Sequence, residues 1–242
     1  MNPYLSVIIP TYNEERRIGE TLKKIISYLS HRNYSWQIIV VDDASFDQTA
    51  KIIENFGEKI ILLKNKERKG KGYSIRKGIL SAGGDFILFS DADLSTPIEE
   101  LEKLLFWLKK GYHLVIGSRA LPDSEIPIPQ PFFRRLMGRL FSLLVKLLVV
   151  RGFSDTQCGF KCFEKKTASF LFNQQRLSGF CFDVEILYLA KRFKKRAKEV
   201  PVRWLNSPAS KISPIKHSFL MFLDLIRIRF YDWRGLYESI RD

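Results

Sequence analysis

Hydrophobic positions follow two alternating periods through the first half of the chain. Short β-branched runs such as Leu5-Ser6-Val7-Ile8-Ile9-Pro10 give way to stretches in which apolar residues recur every three or four positions. The pattern predicts strands near 5–10, 37–42, 59–64, 85–90 and 113–117. It predicts helices near 15–30, 46–56, 72–82 and 98–110, the last entered through Ser95-Thr96-Pro97, a cap followed by a first-turn proline. Successive βα units of this kind wind a mostly parallel sheet with helices on its faces, so the predicted class is α/β, Rossmann-like. Ligands of such sheets bind beyond the carboxyl ends of the strands. The strand-end residues are therefore the candidates for chemistry.

The pattern changes after residue 118. Pro122, Pro127, Pro129 and Pro131 exclude regular helix and predict an extended loop. A helix follows in which Phe133, Leu136, Met137, Leu140, Leu144, Leu147 and Leu148 share one face, with Arg135, Arg139, Ser142 and Lys146 forming a polar stripe. A helix near 182–194 and a strand near 198–204 come next. The last helix, near 215–233, sets Phe219, Phe222, Leu223, Ile226 and Phe230 beside Lys216, Arg227, Arg229 and Arg234. The longest apolar stretch, Leu136 to Val150, is broken by Arg139, Ser142 and Lys146 and falls short of the roughly 20 residues that span a bilayer. No transmembrane helix is predicted, and no internal repeat is visible.

The chain has 242 residues, 45% of them hydrophobic, enough for the core of one α/β domain and too many for a disordered chain. Its formal charge of +14 is unevenly placed: residues 1–131 carry 18 basic against 17 acidic side chains, residues 132–242 carry 22 against 9. The second half therefore carries the field, which predicts a polyanionic partner or an anionic surface. Acidic clusters in the first half would repel a phosphate backbone, and no nucleic-acid-binding signature is present, so no nucleic-acid partner is expected. Cys158, Cys162 and Cys181 are too few for a disulfide framework and lack the spacing of a four-ligand zinc site. They read as reduced thiols in the cytosol, and the N-terminus lacks the order of a signal peptide.

Three strand ends deliver acidic residues: Glu14-Glu15 after Pro10-Thr11-Tyr12-Asn13, then Asp42-Asp43, and then Asp91-Ala92-Asp93. A carboxylate pair one residue apart can hold a hard divalent cation while leaving positions open for diphosphate oxygens. Taken alone, Asp91-Ala92-Asp93 serves equally as a turn or helix cap. The phosphate-binding patterns Gly-x4-Gly-Lys-Ser/Thr and Gly-x-Gly-x-x-Gly are absent. Lys69-Gly70-Lys71-Gly72 opens a helix, where backbone N–H groups and cations can meet an anion, and it reads equally as a basic surface turn. His31, His113 and His217 stand away from these clusters in surface or packing roles. Asp155 is expected as a structural partner of a nearby cation.

Together, Ser6-Val7-Ile8-Ile9-Pro10-Thr11-Tyr12-Asn13-Glu14-Glu15, Val41-Asp42-Asp43-Ala44-Ser45-Phe46-Asp47-Gln48-Thr49 and Asp91-Ala92-Asp93 resemble, in order and spacing, the inverting nucleotide-sugar glycosyltransferases of family 2. Gly117-Ser118-Arg119 and Asp155-Thr156-Gln157-Cys158-Gly159-Phe160-Lys161 extend the likeness to polyprenyl-phosphate sugar synthases. With Phe182-Asp183-Val184-Glu185 and Ser210-Lys211, the chain is most similar to dolichyl-phosphate β-glucosyltransferases.

The resemblance implies a GT-A fold and a metal-dependent, inverting transfer of a hexose from a nucleotide diphosphate to a polyprenyl or dolichyl phosphate. Glucose from UDP-glucose is the expected group, and mannose from GDP-mannose the alternative, disfavoured by Leu94-Ser95-Thr96 after the Asp-x-Asp. An inactive lipid- or nucleic-acid-binding basic domain is the reading outside the class. Pro10, Tyr12, Glu14 and Asp42 would line the nucleoside pocket, Lys71, Gly72 and Arg76 would border it, and Asp43 and Ala92 complete the nucleotide-sugar set. Asp91 would face ribose or diphosphate, and Asp93 would be the main ligand of Mg2+ or Mn2+ with Asp91 beside it. Arg119, Arg135, Arg139 and Lys211 would collect the acceptor phosphate, with Asp93, Arg119 and Lys211 at the reacting centre. On this reading residues 1–120 hold the donor, 121–213 the acceptor, and 214–242 form a basic amphipathic helix. The two basic amphipathic helices suit an anionic membrane surface, on the cytoplasmic face.

Overall fold

The computed structural model describes residues 2–129, 131–206 and 214–237. Seven strands form one sheet in the order β3-β2-β1-β4-β6-β5-β7. They are β1 (Leu5–Thr11), β2 (Trp36–Asp42), β3 (Ile61–Lys64), β4 (Phe86–Ser90), β5 (Leu114–Ser118), β6 (Phe160–Glu164) and β7 (Ala197–Pro201). The helices are α1 (Ile18–Ser30), α2 (Thr49–Glu54), α3 (Lys71–Leu80), α4 (Leu101–Lys109), α5 (Phe132–Leu148), α6 (Lys165–Gln174), α7 (Phe182–Arg192) and α8 (Pro214–Trp233).

β1 pairs in parallel with β2 and β4, β2 with β3, and β5 with β7. β6 runs antiparallel between β4 and β5. It was not among the expected strands, and neither was α6. β6 reads Phe160-Lys161-Cys162-Phe163-Glu164, and its Lys161 is a charged residue at a buried position. The buried sheet residues alternate between faces as strand geometry requires. Ile8, Ile39, Val41, Ile87 and Phe89 face a core shared with α3, α6 and α7, and Val7, Ile9, Ile38, Val40 and Leu88 face one shared with α1 and α4. α3 lies so close to β1 that a Cβ on Gly78 would come within 2.4 Å of Ile8 Cγ2.

α5 and α8 lie against each other at the edge of the first core, to which they contribute Val145, Leu225 and Ile228. The face of α5 that periodicity marked as apolar points largely outward: Phe133, Leu136, Leu140, Leu147 and Leu148 are exposed, with Phe132 and Leu143 beside them. On α8, Phe219, Ile226, Phe230 and Trp233 are exposed in the same way. Among the described residues, no helix is long and apolar enough to cross a membrane.

Candidate active site

The carboxyl ends of β1, β2, β4 and β5 open onto one cleft, and the loops after β1 and β2 are stitched into a rigid rim. Asn13 and Ala44 adopt left-handed backbone conformations, at φ 55° and 59°. The Asn13 amide donates to Ser45 Oγ at 2.9 Å, and the Phe46 amide donates to Asn13 Oδ1 at 3.0 Å. Asp42 closes the turn by accepting from Ser45 N at 3.1 Å, Ser45 Oγ at 2.5 Å and Thr11 Oγ1 at 3.4 Å. Pro10 is half-buried between Ile9 and Thr11, which are buried, and Tyr12 follows with its ring 6.3 Å from that of Phe46 and 4.1 Å beneath the Arg68 guanidinium.

Asp43 serves the backbone. Its carboxylate accepts from Asn65 Nδ2, Lys69 N and Gly70 N, each at 2.8 Å. Gly70 sits at φ +99°, and a Cβ there would lie 2.5 Å from the Ser178 carbonyl oxygen. That same oxygen accepts from Gly72 N at 2.8 Å and Tyr73 N at 3.3 Å. Three of the four amides of the Lys69–Gly72 turn expected to meet an anion, those of Lys69, Gly70 and Gly72, are thus satisfied within the protein, and the Lys71 ammonium is directed at Asp91. Glu185 steadies the opposing segment by accepting from Arg176 N, Leu177 N and the Tyr237 hydroxyl.

Asp91 and Asp93 lie where cations from two other segments converge. Lys71 Nζ is 2.6 Å from Asp91 Oδ1, and Arg17, which donates to Glu14, is 3.8 Å from Asp93 Oδ2. Burial pulls the Lys71 ammonium down, but Asp91, Asp183 and Asp93 more than offset it and hold the pKa above its ordinary value. The other Asp93 oxygen accepts from Ser95 N at 3.0 Å, so this residue caps its own turn while facing the cleft. Two contacts from distant chain set the Asp91-Ala92-Asp93 turn: Asp91 N donates to Gly159 O at 3.1 Å, and Thr21 Oγ1 donates to Ala92 O at 2.7 Å. A Cβ on Gly159 would fall 1.9 Å from Asp91 Oδ2. Glycine at 159 is what leaves room for the carboxylate.

The segment leading into β6 supplies the remaining charge pairs. Asp155 receives Arg119 Nε at 2.6 Å, Nη2 at 2.8 Å and the Arg119 backbone amide at 3.0 Å. Burial works against the Asp155 carboxylate, yet Arg119 pulls its pKa down to about 2. Glu199 on β7 accepts from the amides of Ser154 and Asp155 at 2.8 and 2.7 Å and so aims Asp155 at Arg119. Lys161 donates to Asp183 at 2.5 Å and to the Cys158 carbonyl at 2.6 Å, with both side chains buried. Burial raises the Asp183 carboxyl against the pull of Lys161 and Lys71. Cys158, packed beside Thr96, is pushed up to about 11 by burial and remains a thiol at neutral pH.

Arg17 joins Glu14 to Asp93 and Lys71 joins Asp91, with Tyr12 and Asp42 at the neighbouring ends of β1 and β2 and Arg119 at the end of β5. Gly72, expected beside them, is buried against Leu177, Gly179 and Phe182. Arg76 turns to α6, where its Nε donates to the Phe172 carbonyl at 2.7 Å. Ala92 is buried as a spacer between the two aspartates. Arg135 and Arg139 stand exposed on α5. Lys211 lies outside the described residues. Sequence reasoning missed Arg17, Gly159 and Glu199. Only Arg17 carries a local signal, three residues beyond Glu14; the other two act through contacts distant in sequence. His113 has the expected packing role, accepting at Nδ1 from Arg196 N at 2.9 Å.

The family model Glycosyl transferase family 2 matches residues 6–162. A dolichyl-phosphate beta-glucosyltransferase of Dictyostelium discoideum is 37% identical over 98% of this chain and 77% of its own length. The Homo sapiens protein of the same name is 38% identical over 93% of this chain and 74% of its own. Among solved structures, the glucosyl-3-phosphoglycerate synthase of Mycobacterium tuberculosis, in complex with Mn2+, UDP-glucose and phosphoglyceric acid, superposes with a TM-score of 0.70. It covers 98% of this chain and 81% of that one at 18% identity, a likeness of fold.

The depressed Asp155 pKa has a consequence for stability. A carboxylate whose folded pKa lies below its unfolded value stabilises the fold above about pH 4, and that contribution is lost as pH falls toward 2. Asp155→Asn is expected to cost about 2–3 kcal/mol at pH 7, because it leaves the Arg119 charge without its partner. Urea unfolding of both proteins at several pH values checks this: the gap between them should close between pH 4 and 2.

Proposed function

The chain belongs to glycosyl transferase family 2, and on that premise we propose that it transfers glucose from UDP-glucose, with inversion, to the phosphate of a dolichyl-type polyprenol. The product is a lipid-linked β-glucosyl phosphate. The observation that carries this reading is the likeness to dolichyl-phosphate beta-glucosyltransferases along almost the whole chain, acceptor half included.

Residues 1–120 bind the donor and 121–213 the acceptor. Pro10, Tyr12, Glu14 and Asp42 frame the nucleoside, with Lys71 and Gly72 at its border. Asp43 and Ala92 support that pocket, one through the Lys69–Gly70 amides and the other by spacing the aspartates. Asp91 and Asp93 fit a hard divalent cation, Mg2+ or Mn2+. Both present carboxylate oxygens, and the Gly159 cradle holds one of them in place. Among the described residues no group of three or more His, Cys, Asp or Glu that could hold a metal is present, so such an ion would take its remaining ligands from diphosphate oxygens and water. Such an ion would offset the charge that develops on the departing diphosphate.

The acceptor accounts for the rest of the site. A phosphate monoester is already largely ionised near neutral pH, so its oxygen can attack without a strong general base. What remains for the protein is to position the anion and neutralise it. Arg119, oriented by Asp155, performs that task together with Lys211, while Arg135 and Arg139 gather the phosphate from the face of α5. The exposed apolar stripes of α5 and α8 lie shallowly in an anionic membrane surface, with their cations among the headgroups. The lipid tail then stays in the bilayer while its phosphate reaches the cleft. Three buried, unpaired cysteines suit the reducing, cytoplasmic side of that membrane.

Radiolabelled UDP-glucose and GDP-mannose, each incubated with purified protein, dolichyl phosphate and Mg2+ or Mn2+, test the reaction. Organic-phase label is expected from UDP-glucose. Asp93→Ala should lower it by more than about a hundredfold, while the loss of its turn cap and its Arg17 contact lowers the melting temperature by only a few degrees, about 1 kcal/mol. Preferential label from GDP-mannose would overturn the sugar, and no label from either donor would overturn the reaction.

Membrane attachment has its own test, flotation on vesicles containing anionic lipid. The wild type is expected to float at low salt, and the triple substitution Leu140→Glu, Leu147→Glu, Phe230→Glu to stay in the soluble fraction. Equal flotation of the two would remove α5 and α8 from the membrane.

A further inference from the structure

Phe46 is 83% exposed, the highest value among the large hydrophobic side chains described. A lone exposed aromatic needs no explanation on a floppy loop, but this one is on a fixed turn. Its own amide is tied to Asn13 Oδ1, the residue before it is tied to Asp42 and Asn13, and Asp47 caps the start of α2 through Thr49 N at 2.9 Å. The turn holds the ring edge-on to Tyr12, with ring planes at 82°, while Arg68 covers the Tyr12 ring from 4.1 Å. Two rings and a guanidinium are thereby gathered at the rim of the cleft, beyond the ends of β1 and β2. All three are groups that stack on flat π-systems.

We propose that Phe46 is a stacking contact for the base of the nucleotide donor, and that Arg68 and Tyr12 form the adjoining wall. This rests on the reading of the cleft as a nucleotide-sugar site and adds to it the residue that grips the base. Its immediate neighbours argue against a lipid surface as the occupant. Ser45, Asp47 and Gln48 flank Phe46 with polar and acidic groups, whereas the apolar stripes suited to lipid are on α5 and α8. Stacking is tolerant of base identity. Phe46 therefore supplies affinity for a nucleotide over a bare diphosphate and leaves the choice of base to groups at its edge.

Calorimetric titration with two probes, UDP with Mn2+ and inorganic pyrophosphate with Mn2+, separates base stacking from a structural effect. Phe46→Ala is expected to weaken UDP binding about tenfold and to leave pyrophosphate binding within twofold. Phe46→Trp should restore UDP affinity, and Arg68→Ala should weaken UDP by a smaller factor with pyrophosphate again unaffected. UDP affinity unchanged in Phe46→Ala overturns the proposal. So does an equal loss for both probes, which would make the ring a prop of the turn. So too does a loss of vesicle flotation with UDP binding intact, which would make it a lipid contact. If the wild type binds pyrophosphate but gains nothing from the uridine, base stacking fails while the cation-lined diphosphate site stands. If it binds neither probe, the donor reading itself fails.

Discussion

Four carboxylates in and behind this cleft are each matched by a cation from a different element, and the site depends on that pairing. Asp91 after β4 meets Lys71 at the start of α3, and Asp93 meets Arg17 ahead of α1. Asp155 meets Arg119 after β5, and Asp183 on α7 meets Lys161 on β6. Bringing this much charge together at the edge of a protein core is unfavourable unless each group finds its complement. The pairs can form only when the sheet has assembled in its native order, because each joins segments that the topology brings together. The antiparallel insertion of β6 between β4 and β5 matters most here: it carries Lys161 into the core and sets Gly159 against Asp91.

The same economy explains what the cleft leaves for a ligand. The Lys69, Gly70 and Gly72 amides are consumed by Asp43 and Ser178, so the turn is a rigid mount for Lys71. Asp155 and Glu199 together hold Arg119 by its backbone and its guanidinium. What remains accessible is a set of fixed charges and rings: Tyr12 and Phe46 at one side, Asp91, Asp93 and Lys71 in the middle, Arg119 beyond. A transfer that needs no strong base but does need two phosphate groups brought together is served by preset electrostatics of this kind. The outward apolar faces of α5 and α8 are the surfaces that the proposed reaction sets against the lipid carrying the acceptor phosphate.

Much of this was legible in the sequence because the information is local. The βα rhythm located nearly all the parallel strands and their helices to within a few residues, and the acidic strand ends marked the cleft. β6 escaped because a lysine occupies one of its buried positions, and that lysine makes sense only beside Asp183. Asp155 was expected as a structural partner of a nearby cation, and the cation it meets, Arg119, comes from the other half of the chain. Arg76 carried no sign that it would turn to Phe172. Periodicity identified the apolar faces of α5 and α8 but could not say whether they pointed in or out, because amphipathicity is the same for a core and for a surface. Gly159 looked like any turn glycine. Its role lies in the space it leaves for a side chain 68 residues away.

The position of Asp91 is critical to this pairing, and Gly159→Ala tests it most directly. Turnover of UDP-glucose with dolichyl phosphate, measured beside the urea midpoint, is the measurement. A methyl at 159 displaces the Asp91 carboxylate from Lys71 and leaves both charges without their partner, so turnover should fall by more than about a hundredfold and the urea midpoint should drop while the slope stays that of wild type. Turnover within threefold of wild type would contradict the account.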